Sequence, residues 1–283
     1  PIHQAENTQY EGDKWFFDEF ADRDPRLYDN IDPAGLRIEG SGVVAYAATG
    51  YFAHLFVNPS LLNVPGGMSS TNITDAPVMK LNEVMMNYIE AAAELADMGQ
   101  YTLTQGDFDK TINALRNRPS TSMPAVTLAG SNLAVNGVTI NDPDRDKGQM
   151  KSGDYEVSPI LWEVRRERRT ELPYQGIRFN DLRRWGKLHY ADMKVNPKLN
   201  LGAWLDKDAY VAWYNEQNGT SLTVEDLKGI HLDREGNAGY IVPAIDASLL
   251  RTCEDKHYLY PIPSQEIALY QSNGYTLSQN PGW

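Results

Sequence analysis

The chain has 283 residues, 41% hydrophobic, 23% charged and 10% aromatic, a globular composition long enough to bury a sizeable core as one large domain or two smaller ones. Twenty-six basic side chains against 38 acidic ones leave a net charge of −12, and that field excludes general nucleic-acid binding. The single cysteine, Cys253, excludes an intramolecular disulfide framework and a Cys-rich zinc site.

The longest apolar run, residues 43–57, is interrupted by Thr49, Gly50 and His54 and is too short to cross a bilayer. The chain opens on Pro1 without a signal peptide or lipid-accepting cysteine, so any export signal or anchor is expected upstream.

Residues 13–20 carry Trp15, Phe16, Phe17 and Phe20 and predict a short helix ahead of Pro25. Residues 36–64 are rich in Val, Tyr, Phe and Gly with little 3.6 periodicity, which predicts a hairpin-like region of short strands and turns. Leu81, Val84, Met85, Tyr88, Ile89, Ala92 and Leu95 fall on one helical face opposite Glu83, Asn87, Glu90 and Glu94, the pattern of an amphipathic helix. Gly99 supplies its stop, and Asp107 is placed to cap a second helix through Asn117, before Pro119. The pair, residues 81–118, is a helical hairpin of tetratricopeptide type, and one such unit cannot bury its apolar face without partner helices.

Residues 120–157 read as loop. Ser158-Pro159 reads as N-cap and first residue of a helix to about Leu172, and a further helix follows Gly176 through Trp185. Residues 188–256 mix polar loops with a helix near residues 206–217 containing Tyr210, Trp213 and Tyr214, and turns at Gly229, Gly236 and Gly239. A last short helix is predicted over residues 264–270.

Several segments, in order, resemble the SusD/RagB family of bacterial outer-membrane nutrient-binding lipoproteins. Arg23-Asp24-Pro25-Arg26-Leu27 is similar to the family's Asp-Pro-Arg segment, and residues 76–95 to its long helix with Tyr-x-Glu-Ala. Ile112-Asn113-Ala114-Leu115-Arg116-Asn117-Arg118 stands where the family has Ile-Asn-x-Ile-Arg-x-Arg. The run Glu163-Val164-Arg165-Arg166-Glu167-Arg168-Arg169-Thr170-Glu171-Leu172, followed by Gly176, Arg178, Asp181, Leu182, Arg184, Trp185 and Gly186, resembles the most diagnostic stretch. Tyr258-Leu259-Tyr260-Pro261-Ile262-Pro263 and Gln279-Asn280-Pro281-Gly282 resemble the closing motif.

The resemblance implies a mainly α, SusD-like fold: a tetratricopeptide-type hairpin plus further helices, small irregular β hairpins and long loops. Residues 1–283 then form the C-terminal part of such a domain, with the hairpin at 81–118, an Arg/Glu-rich helix pair at 158–186, a variable insert at 188–256 and the closing motif at 257–283. It also implies capture of nutrient, an oligosaccharide or polysaccharide, at the cell surface and delivery to a SusC-like TonB-dependent outer-membrane transporter. The membrane is then reached only through an upstream lipid anchor. Peptide capture, as in RagB-like members, and a tetratricopeptide-type protein-interaction scaffold are the alternatives.

Seven arginines between positions 165 and 184 suggest an anion-binding patch, but Glu163, Glu167, Glu171 and Asp181 are interleaved at helical spacings that pair them with the arginines. Arg165, Glu167, Arg168, Arg169, Glu171, Arg178, Asp181, Arg184 and Trp185 are therefore read as structural. No His-Glu-x-x-His, Gly-x-Ser-x-Gly or phosphate-loop motif occurs, and the five histidines are scattered; no catalytic residue and no cofactor is expected. Asp142, Asp144 and Asp146 are spaced as in a calcium loop, but Lys147 takes the glycine position and Gly153 the bidentate glutamate's, so a solvated loop without metal is expected. A neutral glycan needs an aromatic platform with polar groups at its rim. The rings expected to supply it lie in loop-like or strand-edge contexts: Tyr46 and Tyr51, near His54 and Asn58, and Trp204 in the insert.

Overall fold

The computed structural model describes residues 12–43, 46–53, 55–56, 58, 61, 75, 77–142 and 157–283. It is mainly helical. In chain order come α1 (Phe16–Phe20), α2 (Arg26–Asn30), α3 (Leu81–Asp97), α4 (Gln105–Asp109) and α5 (Ile112–Arg116). An antiparallel sheet of β1 (Val126–Ala129), β2 (Asn132–Val135) and β3 (Val138–Thr139), in that order, separates these from α6 (Pro159–Glu171) and α7 (Arg178–Arg184). Strand β4 (Trp204–Asp206) runs into α8 (Lys207–Asn218) and pairs antiparallel with β5 (Ala238–Tyr240), and α9 (Ser264–Ser272) lies near the end.

Three apolar clusters hold these elements. In the first, Met86, Ile89 and Ala93 of α3 meet Phe108, Ile112 and Leu115 of α4 and α5, Val126 and Leu133 of the sheet, and Leu161 and Val164 of α6. The second joins Phe16 and Phe20 of α1 to Ile31, Leu36, Ile38, Leu205, Tyr210 of α8, Leu227 and Ile241. The third is small: Leu182, Trp185 and Leu188, with Tyr190, Cys253 and Tyr258 packed against them.

Local signals explain the helix ends that sequence reading found. The Ser158 hydroxyl accepts from the Leu161 N–H at 3.2 Å, with Pro159 at the first position of α6, as an N-cap should. Asp206 caps α8 by accepting from Asp208 and Ala209 N–H, and Gly219 ends it in the left-handed region.

Four expectations need correction. Asp107 is not the cap of the second helix; Thr104 is, and the Asp107 carboxylate reaches back to the Thr104 N–H at 2.9 Å and hydroxyl at 2.7 Å. That helix is also broken in two, because the Thr111 hydroxyl donates to the Asp107 carbonyl at 2.6 Å and competes with the backbone ladder. Residues 126–139 form a sheet where loop was expected; the β2–β3 turn is Asn136-Gly137, with φ 52° and 77°, a pair suited to a tight hairpin. Conversely, the described part of 36–64 contains no named strand: an isolated bridge links Ile31 to Ala53, and the Arg37 N–H donates to the Gly50 carbonyl.

Helix α3 differs from its pattern in which side it buries. Met86, Ile89, Glu90, Ala92 and Ala93 face inward, whereas Leu81, Val84, Tyr88 and Leu95 are exposed. The helix is apolar on two faces, and the inward one is chosen by partners for Glu90.

Gly202 fixes how closely the segment before β4 approaches residue 49. Its N–H donates to the Ile241 carbonyl at 2.7 Å and the next N–H, of Ala203, to the Thr49 carbonyl at 2.8 Å. A Cβ at position 202 would meet the Thr49 carbonyl oxygen at 2.5 Å and its Cα at 2.8 Å, backbone atoms that cannot rotate away. Gly202→Ala is therefore expected to cost about 1–3 kcal/mol, as overpacking does, and to lower the melting temperature. An unchanged thermal melt would contradict this close approach.

Candidate functional site

The arginine-rich stretch resolves into a buried network. On α6, Glu163, Arg165, Glu167, Arg168 and Glu171 are all buried. The Glu167 carboxylate accepts from Arg26 Nη1 at 2.7 Å and from Arg116 Nη2 at 2.6 Å. Glu171 accepts from Arg26 Nη1 at 3.1 Å, from Arg118 at 2.8 and 2.9 Å and from Asn82 Nδ2 at 3.0 Å. A second knot centres on Glu90 of α3, which accepts from Arg184 Nη2 and Trp185 Nε1, both at 2.6 Å. Asp181 receives Arg168 Nε at 2.8 Å and Arg184 Nη2 at 2.9 Å, while Arg168 Nη1 reaches Asn87 at 2.7 Å.

The partners differ from those helical spacing suggested. Arg166 with Glu163, and Arg184 with Asp181, pair within a helix; the other bonds described above cross between elements. Arg165 bonds Glu94 at 2.7 Å and also stacks on Trp185, its Cζ 4.5 Å from the ring centroid, with Arg184 and Arg178 at 4.9 and 5.2 Å. Positive charge is in excess at the edge, where Arg169 is affected by burial alone and the attraction of Asp181 for Arg178 is outweighed. Burial and then the Arg169 charge push the Arg178 pKa down to about 10.

The rings expected to contact ligand fall in three different surroundings. Tyr46 is exposed, and a hydrogen bond to Glu39 and that carboxylate's charge raise its pKa. Tyr51 is not an open loop ring: it packs on Phe16 and Phe20, with centroids 6.4 Å away in each case, and its hydroxyl donates to Glu19. Burial, followed by the Glu19 charge, raises the Tyr51 pKa well above its usual value. Trp204 is half-buried on β4, edge-to-face with Tyr240 at 5.1 Å and capped by Arg234, whose Cζ stands 5.0 Å over the ring. Asn58 is exposed, and His54 lies outside the described residues. Asp142, from the calcium-like spacing, accepts from Trp162 Nε1 at 2.9 Å, while Asp144 and Asp146 lie outside the described residues. Among the described residues no group of three or more His, Cys, Asp or Glu is placed to hold a metal ion.

A further group of rings emerges where α1 meets α8. Trp15 lies 6.0 Å from Trp213 and 6.2 Å from Phe17, and Phe17 lies 5.5 Å from Trp213. Phe17 is exposed and the two tryptophans half-buried. Each ring was visible in the sequence, but their meeting was not, since it depends on the second core.

The sequence profile of the SusD family matches residues 1–283. Among curated proteins no significant relative is found. Of solved structures, a SusD-like carbohydrate binding protein from Bacteroides fragilis NCTC 9343 is 25% identical, with a TM-score of 0.45 over 87% of this chain and 40% of its own. BT4246 matches with a TM-score of 0.46 as the selenomethionine protein, at 23% identity over 84% of this chain and 30% of its own, and in a second structure at 21% identity over 84% and 29%. The chain thus spans well under half the length of these structures.

Glu167 offers a direct test of the network. Burial alone would raise its pKa, but hydrogen bonds from Arg116 and the charge of Arg26 hold the carboxyl below its ordinary value of 4.5. A depressed folded-state pKa means the stabilisation is present above that ordinary value and is lost as pH falls through the folded one. Glu167→Ala, which strands Arg26 and Arg116, is expected to cost about 3–5 kcal/mol near neutral pH. The gap between parent and variant should narrow as pH falls below about 4.5. A variant equally stable at pH 7, or a gap that widens in acid, would rule out this role in chemical-denaturation measurements.

Proposed function

Because the chain belongs to the SusD family, we propose that it is a glycan-binding protein that captures an oligosaccharide or polysaccharide at the cell surface. In this reading it passes the glycan to a SusC-like TonB-dependent outer-membrane transporter and is held at the membrane by a lipid anchor. The observation that carries the reading is the family match along the whole chain. The surface chemistry supports it: exposed Tyr46 stands beside the Glu39 carboxylate and half-buried Trp204 beneath the Arg234 guanidinium, and sugars present C–H faces to rings and hydroxyls to polar groups. No described helix is long and apolar enough to cross a membrane.

The proposed chemistry is binding without turnover. Its residues hold and orient a glycan; none is assigned to bond cleavage. Incubation with candidate polysaccharides is expected to release no reducing ends, while retarded migration in polysaccharide-containing gels shows binding to at least one. Product that accumulates in proportion to protein and vanishes on a single acid-to-amide substitution would overturn the non-catalytic reading. Peptide binding in calorimetry without any glycan binding would move the protein to the alternative of peptide capture.

Among the expected contacts, Tyr46→Ala and Trp204→Ala are the informative variants. If these rings stack on sugar, each is expected to lose about 1–3 kcal/mol of affinity with little change in melting temperature. Tyr51→Ala is expected to melt early, because it opens the second core and strands Glu19, whose pKa burial already raises. Unchanged affinity in the first two variants removes them from the site.

A further inference from the structure

We propose that Trp15, Phe17 and Trp213 form the stacking floor of a subsite for a neutral saccharide unit, an assignment that rests on the glycan-binding reading. The three rings touch pairwise at 5.5–6.2 Å with interplanar angles of 60–72°, the edge-to-face range that holds each ring in place. They are braced from below. Phe16, 1% exposed, meets Phe17 at 5.2 Å, and Tyr210, fully buried, meets Trp15 at 6.5 Å and Trp213 at 5.8 Å.

The buried centre of the core is filled by Phe16, Phe20 and Tyr210, with Trp15 and Trp213 packed against it, while Phe17 is not part of the cluster. The outermost of the three rings, Phe17, remains 38% exposed. A cluster of three large rings at a surface marks an interaction site more often than a single exposed ring does.

The backbone has been shaped for this arrangement. Gly35, at φ +132°, lets the Trp213 ring lie against the chain: a Cβ there would meet Trp213 Cη2 at 2.6 Å and the Phe17 ring at 3.5 Å. Two elements distant in sequence, α1 and α8, therefore present their rings in one fixed relation.

The charge at the rim sets the class of saccharide. Exposed Asp18 adjoins Phe17, exposed Glu216 lies one helical turn after Trp213, and the whole chain carries −12. A uronate or sulfated sugar entering here meets like charge, whereas a neutral pyranose lays its C–H face on the rings and gives hydroxyl hydrogens to Asp18, Glu216 or the neighbouring Gln217. Electrostatic selection against polyanions follows from the same field.

The test uses the intact chain in affinity electrophoresis and calorimetry against soluble starch, galactomannan and xylan as neutral probes and polygalacturonate as the acidic one. The parent is expected to bind at least one neutral polysaccharide and to bind polygalacturonate more weakly. Phe17→Ala is expected to bind at least about fivefold more weakly with its melting temperature little changed, because Phe17 is not one of the buried residues of the second core. Trp213→Ala should lose binding to a similar or greater extent; if it does not fold, Phe17→Ala decides alone. A parent that binds a neutral polysaccharide while Phe17→Ala binds equally well overturns the subsite and leaves the glycan reading standing. Preference for polygalacturonate overturns the assigned class. A parent that binds none of the four defeats the glycan reading, and the subsite with it.

Discussion

Glu167 is a carboxylate with almost no access to water, and it survives there because two guanidiniums from separate helices meet it, Arg26 of α2 and Arg116 of α5. An isolated charge at that depth is untenable, so α2, α5 and α6 have one acceptable relative placement. Glu171 extends the constraint one turn further through Arg118 and Asn82, and Glu90 repeats it between α3 and α7 through Arg184 and Trp185. Such a network adds little net stability over a well-packed apolar interface. What it adds is register: a shift of one residue along α6 replaces Glu167 by Arg166 or Arg168 and brings arginine against arginine.

The second core is organised differently. Helix α1 has five residues, too few to be stable alone, and stands because Phe16 and Phe20, one turn apart, enter the same apolar cluster as Tyr210. The residues between and beside them are then forced outward. Phe17 leaves α1 on the solvent side, and Trp213 and Tyr214, three and four positions after Tyr210 on α8, flank it at the rim. Charge is thus concentrated inside the first core, and aromatic surface at the edge of the second.

Sequence reading reached as far as local chemistry reaches. Ser158-Pro159 announced α6 because a cap and its helix are neighbours in the chain. The family resemblance likewise rested on contiguous motifs, and the family and the mainly helical fold are both shown. The pairing of the arginines was read only in part: Arg166 with Glu163 and Arg184 with Asp181 do pair at helical spacing, whereas Glu167 takes partners 141 and 51 residues away. Helix α3 was misread for a related cause: hydrophobicity placed Glu90 on the outer face, and only the arrival of Arg184 and Trp185 from α7 makes burying it favourable. The sheet at residues 126–139 hid in strands of two to four residues, although Asn136-Gly137 is a legible hairpin signal. Tyr51 sits in an irregular segment, as read, but its ring is covered by Phe16 and Phe20 from a helix more than thirty positions earlier.

The separation of the two cores bears on how the proposed subsite would recognise a saccharide. A sugar stacked on one ring gains little, and much of that gain is lost if the ring must be immobilised on binding. Rings already fixed by edge-to-face neighbours and by a backbone at Gly35 that admits no Cβ have lost that freedom in the folded state, as rigid aromatic anchors in other binding surfaces have. Weak individual stacking is then sufficient, because a polysaccharide presents the same unit repeatedly and adjacent contacts act at high effective concentration. For the proposed subsite, the rigidity of the α1–α8 contact would then matter more than the number of rings. The ion-pair network contributes at a distance, since the chain leaving α1 runs directly into α2, where Arg26 is tied to Glu167.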